Sequence, residues 1–303
     1  PMPRYDLSEL KLYEVMYVDN KDFPCSVRGG AKQVLFFIDH KSRLKHVIEE
    51  KAKSENGKAF NTIVSAFGVH KVDYPCRVFS DGCGSMVHVK MCAIRMGIDH
   101  AYVPPHQQSL NEAEKVVDQM FGTARALMTR SKAPDKYFNF AVKYAVYVDA
   151  RIATTASRNF KTPFELARGI VPDISRLHRF WTHCYVQVPK SKRRALAKKG
   201  LHNIRAEPGR FVGFQSIFSN TYAVILDAVP HPLVHSINVT FDDSDFTTQP
   251  GPDVPGVGLQ PLNFPAGMQS EEANVPQYDS PNSFPQQYSP DSSQHTQTEE
   301  AQN

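Results

Sequence analysis

Residues 11–39 read KLYEVMYVDNKDFPCSVRGGAKQVLFFID. Two runs in this stretch, 11–19 and 33–39, are rich in β-branched and aromatic residues, and Gly29-Gly30 lies between them as a turn signal, so a β-hairpin is predicted. A third strand is expected after Arg43, through LKHVIEE. Working outward, ENGKAFNTIVSAFGV at 55–69 carries Ala59, Ile63, Val64 and Phe67 near helical spacing and predicts a helix. That helix leads into a strand at 76–81 (CRVFSD), a second helix near 85–96, a short strand GIDHAYV and a long helix from Ser109. The order β-β-β-α-β-α-β-α implies a mixed sheet with helices on its faces.

The long helix can be read residue by residue. Ser109 with Glu112 three residues on fits a capping box, and Leu110, Ala113, Val117, Met120, Ala124 and Leu127 form an apolar stripe. Glu114 has Leu110, Val117 and Phe121 as surface neighbours, so it is expected to point toward the core side, whereas Glu112 faces a solvated surface. A carboxylate on a core-facing stripe must be neutralised, hydrogen-bonded or bound to metal. Glu114 is therefore the ligand candidate and Glu112 the cap.

Two aspartates are expected at strand ends, Asp19 closing KLYEVMYVD and Asp81 closing CRVFSD. Three converging carboxylates could hold divalent metal, and hard oxygen donors suit Mg²⁺ or Mn²⁺. A pair of such ions can clamp the attacking and leaving oxygens of a phosphoryl transfer. Asp39, in FFIDHKSR, reads instead as a turn or salt-bridge residue, and the 12 histidines show no metal-ligand spacing.

Charge divides the chain. Residues 242–303 hold ten acids and no Lys or Arg, so all 35 basic residues fall in 1–241 against 21 acids, a net +14. Such a body suits a polyanionic partner. Five cysteines without a CxxC pair indicate neither a disulfide framework nor a zinc ribbon. No apolar run reaches a membrane span, PMPRYDLSEL has no signal-peptide character, and Pro1 in place of Met reads as the start of a segment of a longer polyprotein.

The C-terminal half changes character. A strongly apolar helix, YFNFAVKYAVYVDARI, runs from Tyr137, and its aromatic residues Phe138, Phe140, Tyr144 and Tyr147 read as core. After Pro172 come short strands, CYVQVP, GRFVGF, TYAVILD and SINVTF, which predict a small barrel of about 65 residues. Its first hairpin is expected to carry KSKRRALAKK, where Lys190, Lys192, Arg193, Arg194, Lys198 and Lys199 are candidate contacts for a polyanionic partner. From Thr247 onward nine of the 22 prolines, with abundant Ser and Gln, predict a disordered tail. The expected divisions are an N-terminal extension 1–9, a core 10–155, a linker 156–176, the barrel 177–246 and the tail 247–303.

Several blocks, in order, resemble the integrase region of a copia-type LTR retrotransposon polyprotein. VLFFIDHKSR resembles the second-strand block, FSDGCGS the block of the second catalytic aspartate, and GIDHAYVPPHQQSLNEAEK the strand, active-site loop and glutamate-bearing helix. TPFELARGIVPD resembles the TP-[YF]-E…G-x-x-P segment, and 177–245 resembles the SH3-like barrel that follows the core. The resemblance spans roughly residues 10–245. It implies an RNase H-like mixed sheet with flanking helices, then an all-β SH3-like barrel. It also implies that Asp19, Asp81 and Glu114 are the D, D, E triad holding two Mg²⁺ or Mn²⁺ ions, with Asp22 as competitor for the first position. Lys115 matches the basic residue after the catalytic glutamate.

The activity so implied is trimming of an element's DNA 3′ end and its transfer into target DNA. It would be performed on double-stranded DNA by a homo-oligomer, in the nucleus after synthesis in the cytoplasm and with no membrane partner. Asp81-Gly82-Cys83-Gly84-Ser85-Met86 departs from the family's D-N-G-x-E-F. The alternative is thus a catalytically inactive, decayed DNA-binding remnant.

Overall fold

The computed structural model describes residues 9–69, 76–103, 112–153, 160–197 and 205–242. The N-terminal extension up to Ser8, the Ser109 cap, Lys198, Lys199 and the tail lie outside these residues. Among the described residues ten strands are present: β1 Val15–Asp22, β2 Gln33–Asp39, β3 Lys45–Glu50, β4 Arg77–Ser80, β5 Asp99–Tyr102, β6 His183–Gln187, β7 Ala206–Phe214, β8 Tyr222–Leu226, β9 Leu233–Ser236 and β10 Val239–Phe241. The helices are α1 Asn56–Ala66, α2 Val87–Arg95, α3 Glu112–Ser131, α4 Phe138–Asp149, α5 Pro163–Arg168 and α6 Lys190–Ala197.

The first sheet has the order β3-β2-β1-β4-β5. The hairpin predicted from 11–39 is β1 antiparallel to β2, and β3 continues the meander. β4 and β5 then add parallel on the far side of β1, as connections through helices require. This is the RNase H-like mixed sheet that the resemblance implies.

Side-chain alternation assigns the two faces. Met16 and Val18 of β1 with Leu35 and Phe37 of β2 pack under α1 and α2, together with Phe60, Ile63 and Val89. The opposite residues, Val15 and Tyr17 of β1 with Ile38 of β2 and Phe79 of β4, pack beneath Ala113 at the start of α3. Val34 and Phe36 on that second face meet Val117, Phe121 and Ala124 of α3 and much of α4. Phe138, Phe140, Tyr144 and Tyr147 are all buried, as read from the sequence.

The second sheet is antiparallel, in the order β10-β6-β7-β8-β9. SINVTF, expected as one strand, is split between the end of β9 and β10, because the chain bends at Ile237-Asn238 and passes from one edge strand of the sheet to the other. Phe211, Tyr222, Val224 and Ile225 join the same apolar cluster as α3 and α4. Tyr147 stacks on Phe214 at 3.9 Å between ring centres, and Arg151 donates to the carbonyls of Tyr147 and Ile217 at 3.0 Å each. The expected linker at 156–176 thus falls between elements whose side chains share one core.

KSKRRALA lies in the connection of the antiparallel pair β6–β7, the expected first hairpin, and forms the helix α6 there. Its residues explain the helix, since Lys, Arg, Ala and Leu are strong helix formers and no β-branched residue is present. No described helix is long and apolar enough to cross a membrane. All five cysteines are free.

Candidate active site

The parallel register between β1 and β4 pairs Val18 with Ser80, so the next residue on each chain, Asp19 and Asp81, emerges at the same level on neighbouring strands. Alternation puts both on the face of Val15, Tyr17 and Phe79, the face that the first turn of α3 covers through Ala113. Glu114 follows Ala113 directly. Topology alone therefore aims the three carboxylates at one corner.

Asp19 does not close β1. The strand continues to Asp22 because its pairing with β2 runs on to Gln33, leaving Asp19 mid-strand opposite Phe36. Glu114 is also placed differently from the expectation. It is exposed, between the buried Ala113 and Val117, so it flanks the apolar stripe rather than standing on it. Asp22 pairs with Lys53 at 3.9 Å, away from Asp81.

Electrostatics couples the set. Burial pushes the half-buried Asp19 carboxyl up to about 7, with the charge of Asp81 and then that of Glu114 pushing the same way. The Asn20 backbone N–H, donating to Asp19 Oδ1 at 2.8 Å, and the Lys21 ammonium push back. Lys21 is itself paired with Asp118, one turn beyond Glu114, which fastens β1 to α3.

The Asp81 loop is tied down by residues that spacing alone did not single out. Cys83 N–H donates to Asp81 Oδ1 at 3.3 Å, and the Cys83 thiol and Ser85 hydroxyl are 2.8 Å apart. Ser85 Oγ accepts from Asn20 Nδ2 and the Ser85 carbonyl from Asn56 Nδ2, both at 3.3 Å. Asn56 Oδ1 accepts in turn from Gln33 Nε2 at 2.8 Å, and Gln33 Nε2 also donates to Glu50 at 2.5 Å. Ser80 Oγ lies 3.1 Å from His100 Nε2, joining the ends of β4 and β5. The sequence signal for this network is Gln33, which opens the apolar run VLFFI of β2.

Hard oxygen donors and crowded negative charge suit a divalent cation, and the Asp19 carboxyl, raised first by burial and then by the charges of Asp81 and Glu114, is the group such a cation would relieve. Among the described residues, however, no group of three His, Cys, Asp or Glu side chains lies close enough to hold a metal ion. The carboxylates share a field without forming a closed ligand set. Asp39 lies elsewhere, fully buried in the β2–β3 turn, where it accepts from Tyr13 N–H at 2.7 Å and from Ser42 N–H at 2.8 Å.

Of the candidate DNA contacts, Lys115 is exposed beside Glu114, and Lys190, Lys192 and Arg194 are exposed on α6. Lys192 is engaged by both oxygens of Glu207 at 2.8 Å. Arg193 is half-buried, and its Nε has no hydrogen-bond partner.

No protein-family model matches the sequence, and no curated protein sequence matches it. Solved structures do match. A chain of the simian T-cell lymphotropic virus intasome, determined with PP2A regulatory subunit B56 gamma, aligns with TM-score 0.42 and 11% identity over 76% of this chain and 78% of that one. The HTLV-2 integrase catalytic core domain, determined with magnesium, aligns with TM-score 0.37 and 14% identity over 52% of this chain and 97% of that one. Likeness at this level assigns no residue, and the site rests on its own geometry.

Proposed function

We propose that this chain is a retrotransposon integrase region of copia type, which trims and joins DNA 3′ ends in a metal-dependent reaction. The observation that carries the reading is the β1–β4 register. It sets Asp19 beside Asp81, under the helix of Glu114, and these three acids are the ones that match the family's triad blocks. Asp19, Asp81 and Glu114 would hold Mg²⁺ or Mn²⁺, two ions per site. Bound there, the metal supplies Lewis acidity to the attacking and leaving oxygens.

The chain's own residues do the rest. Asn20 N–H orients Asp19, and Cys83 and Ser85 hold the Asp81 loop against β1 and α1. Lys115 and the α6 cations position phosphates without reading sequence, which makes binding salt-dependent. In the joining step the freed 3′-oxygen forms a bond to a target phosphorus as the bond from that phosphorus to the target's own 3′-oxygen breaks, leaving a new 3′-OH. The second sheet is taken as the SH3-like barrel, and the working form as a homo-oligomer on duplex DNA in the nucleus.

A second reading, an inactive DNA-binding remnant, is favoured by two observations: the open carboxylate set and the D-G-C-G-S-M sequence. A strand-transfer assay with Mn²⁺, a pre-trimmed duplex end and labelled target DNA separates the two. Joined product that disappears in Asp81→Asn and Glu114→Gln supports the enzyme. DNA binding with no product from the unaltered chain establishes the remnant.

A further inference from the structure

A cleft of about 440 Å³ opens where the last turn of α3 meets the second sheet. Arg130 and Lys132 come from the end of α3, Arg179 and Trp181 from the segment before β6, Arg210 from β7, and Asp242 from the chain just after β10. Four cations face one acid. The α3 C-terminus adds roughly half a negative charge, so the walls still carry about +2.5. The helix dipole accounts for Arg130 at most. Lys132 lies beyond the helix end with φ of 53°, and of the other two cations Arg179 precedes β6 and Arg210 stands on β7.

Arg130 and Lys132 are exposed and form no ion pair among the described residues. Like charges gathered in one concave space repel one another unless an anion enters, and concavity with low-dielectric walls concentrates their field. Trp181 supplies a fixed aromatic wall. It is half-buried, its backbone is in the left-handed region at φ 67°, and its ring centre lies 4.6 Å from that of Tyr137. Cations around an aromatic plate are the chemistry that holds nucleic-acid backbones and their bases.

We infer that this cleft seats the phosphodiester backbone of nucleic acid, at a contact separate from the carboxylate corner and from α6. Arg130 is sixteen residues beyond Glu114 on α3, about 24 Å along the axis and on nearly the opposite side of the helix. A DNA strand reaching both therefore spans at least about seven base steps. Only this spacing rests on the proposed function; the binding itself does not.

Trp181 is the only tryptophan of the chain, so its emission reports the cleft directly. The test is titration of the full chain with a 20-base-pair duplex over a salt series, following Trp181 emission and DNA anisotropy together. The unaltered chain should show a Trp181 change that saturates with binding. Arg130→Glu/Lys132→Glu should lose that change and reduce the slope of log K against log salt by about two, near 0.9 per phosphate contact removed. Lys58→Glu, an exposed position on α1, should leave both readouts unaltered. Should the reversal variant fail to fold, Arg130→Gln/Lys132→Gln must give the same losses.

Two results overturn the inference: an unchanged slope and Trp181 signal in a folded double variant, or displacement of the duplex by inorganic phosphate at matched ionic strength, which marks a small-anion site. Asp81→Asn must retain the Trp181 signal, and an unaltered chain that shows this signal but transfers no strand counts against the catalytic reading and not against the cleft.

Discussion

Replacing Glu50 with Gln should stabilise the protein at neutral pH and leave it nearly unchanged in acid. Glu50 is 2% exposed, its Oε1 has no hydrogen-bond partner, and burial, helped by the charge of Glu55, pushes its carboxyl from 4.5 up to about 7 against the Gln33 hydrogen bond. Because the folded-state pKa is raised, the folded chain holds a proton that the unfolded chain releases between about pH 4.5 and 7. Its stability therefore falls as pH rises through that window. At 1.36 kcal/mol per unit the full shift corresponds to roughly 3 kcal/mol. An amide in the same place keeps the bond from Gln33, and its unpaired NH₂ costs about what the unpaired O–H of the protonated carboxyl costs, so the two chains match in acid; with the shift discounted to about 2 kcal/mol for relaxation around a buried charge, that is the net gain above pH 7. Urea unfolding of Glu50→Gln and the unaltered chain, followed by circular dichroism from pH 4.5 to 8.5 in chelator, measures this difference. It should grow from near zero to about 2 kcal/mol and then level off. A difference that is the same at pH 4.5 and pH 8.5 would refute the assignment of Glu50 as a proton-holding buried carboxyl.

Three further outcomes follow from named contacts. Asp19→Asn removes a charge disfavoured first by burial and then by Asp81 and Glu114, so in chelator at pH 8 it should raise stability by about 1 kcal/mol, the shift being discounted for a half-buried group. The same variant should lose the rise in melting temperature that Mn²⁺ gives the unaltered chain, and a retained rise would place the ion elsewhere. Arg151→Lys gives up the bond to Ile217 and the guanidinium stack 3.4 Å above Tyr147, and should cost about 2 kcal/mol in urea unfolding; a loss below about 0.5 kcal/mol would show that Arg151 does not clamp α4 to the second sheet. Gly209→Ala would put a methyl 2.6 Å from the Ile225 carbonyl across β7 and β8, so a cost of about 1 to 3 kcal/mol is expected, and a neutral result would mean the two strands separate easily there.

The first sheet is legible because each of its strands carries its own signal. The 11–39 hairpin shows paired β-rich runs with a glycine turn, and the helices that follow show their period without help from the rest of the chain. Asp81 and Glu114 could be singled out because each lies beside an apolar element. The exposure of Glu114 could not, since a position flanking a helical stripe turns outward or inward according to what packs on the helix. Asp19 looked terminal because NKD lacks strand propensity, yet pairing with β2 carries the strand over those residues. The Ser85–Asn56–Gln33–Glu50 network joins residues from four separate places in the chain, and only the fold brings them together. β9 was missed for a local reason, since Pro230 and Pro232 crowd a four-residue strand at the sheet edge.

Anomalous diffraction at the manganese edge, from crystals soaked in Mn²⁺ at pH 7.5, tests most directly whether Asp19, Asp81 and Glu114 form a metal site. The account predicts a peak within about 2.5 Å of carboxylate oxygens of both Asp19 and Asp81, with Glu114 drawn in to complete the set. Ordered Asp19 and Asp81 side chains with no manganese between them, at an Mn²⁺ concentration that supports DNA joining or in a chain that joins no DNA, would contradict it.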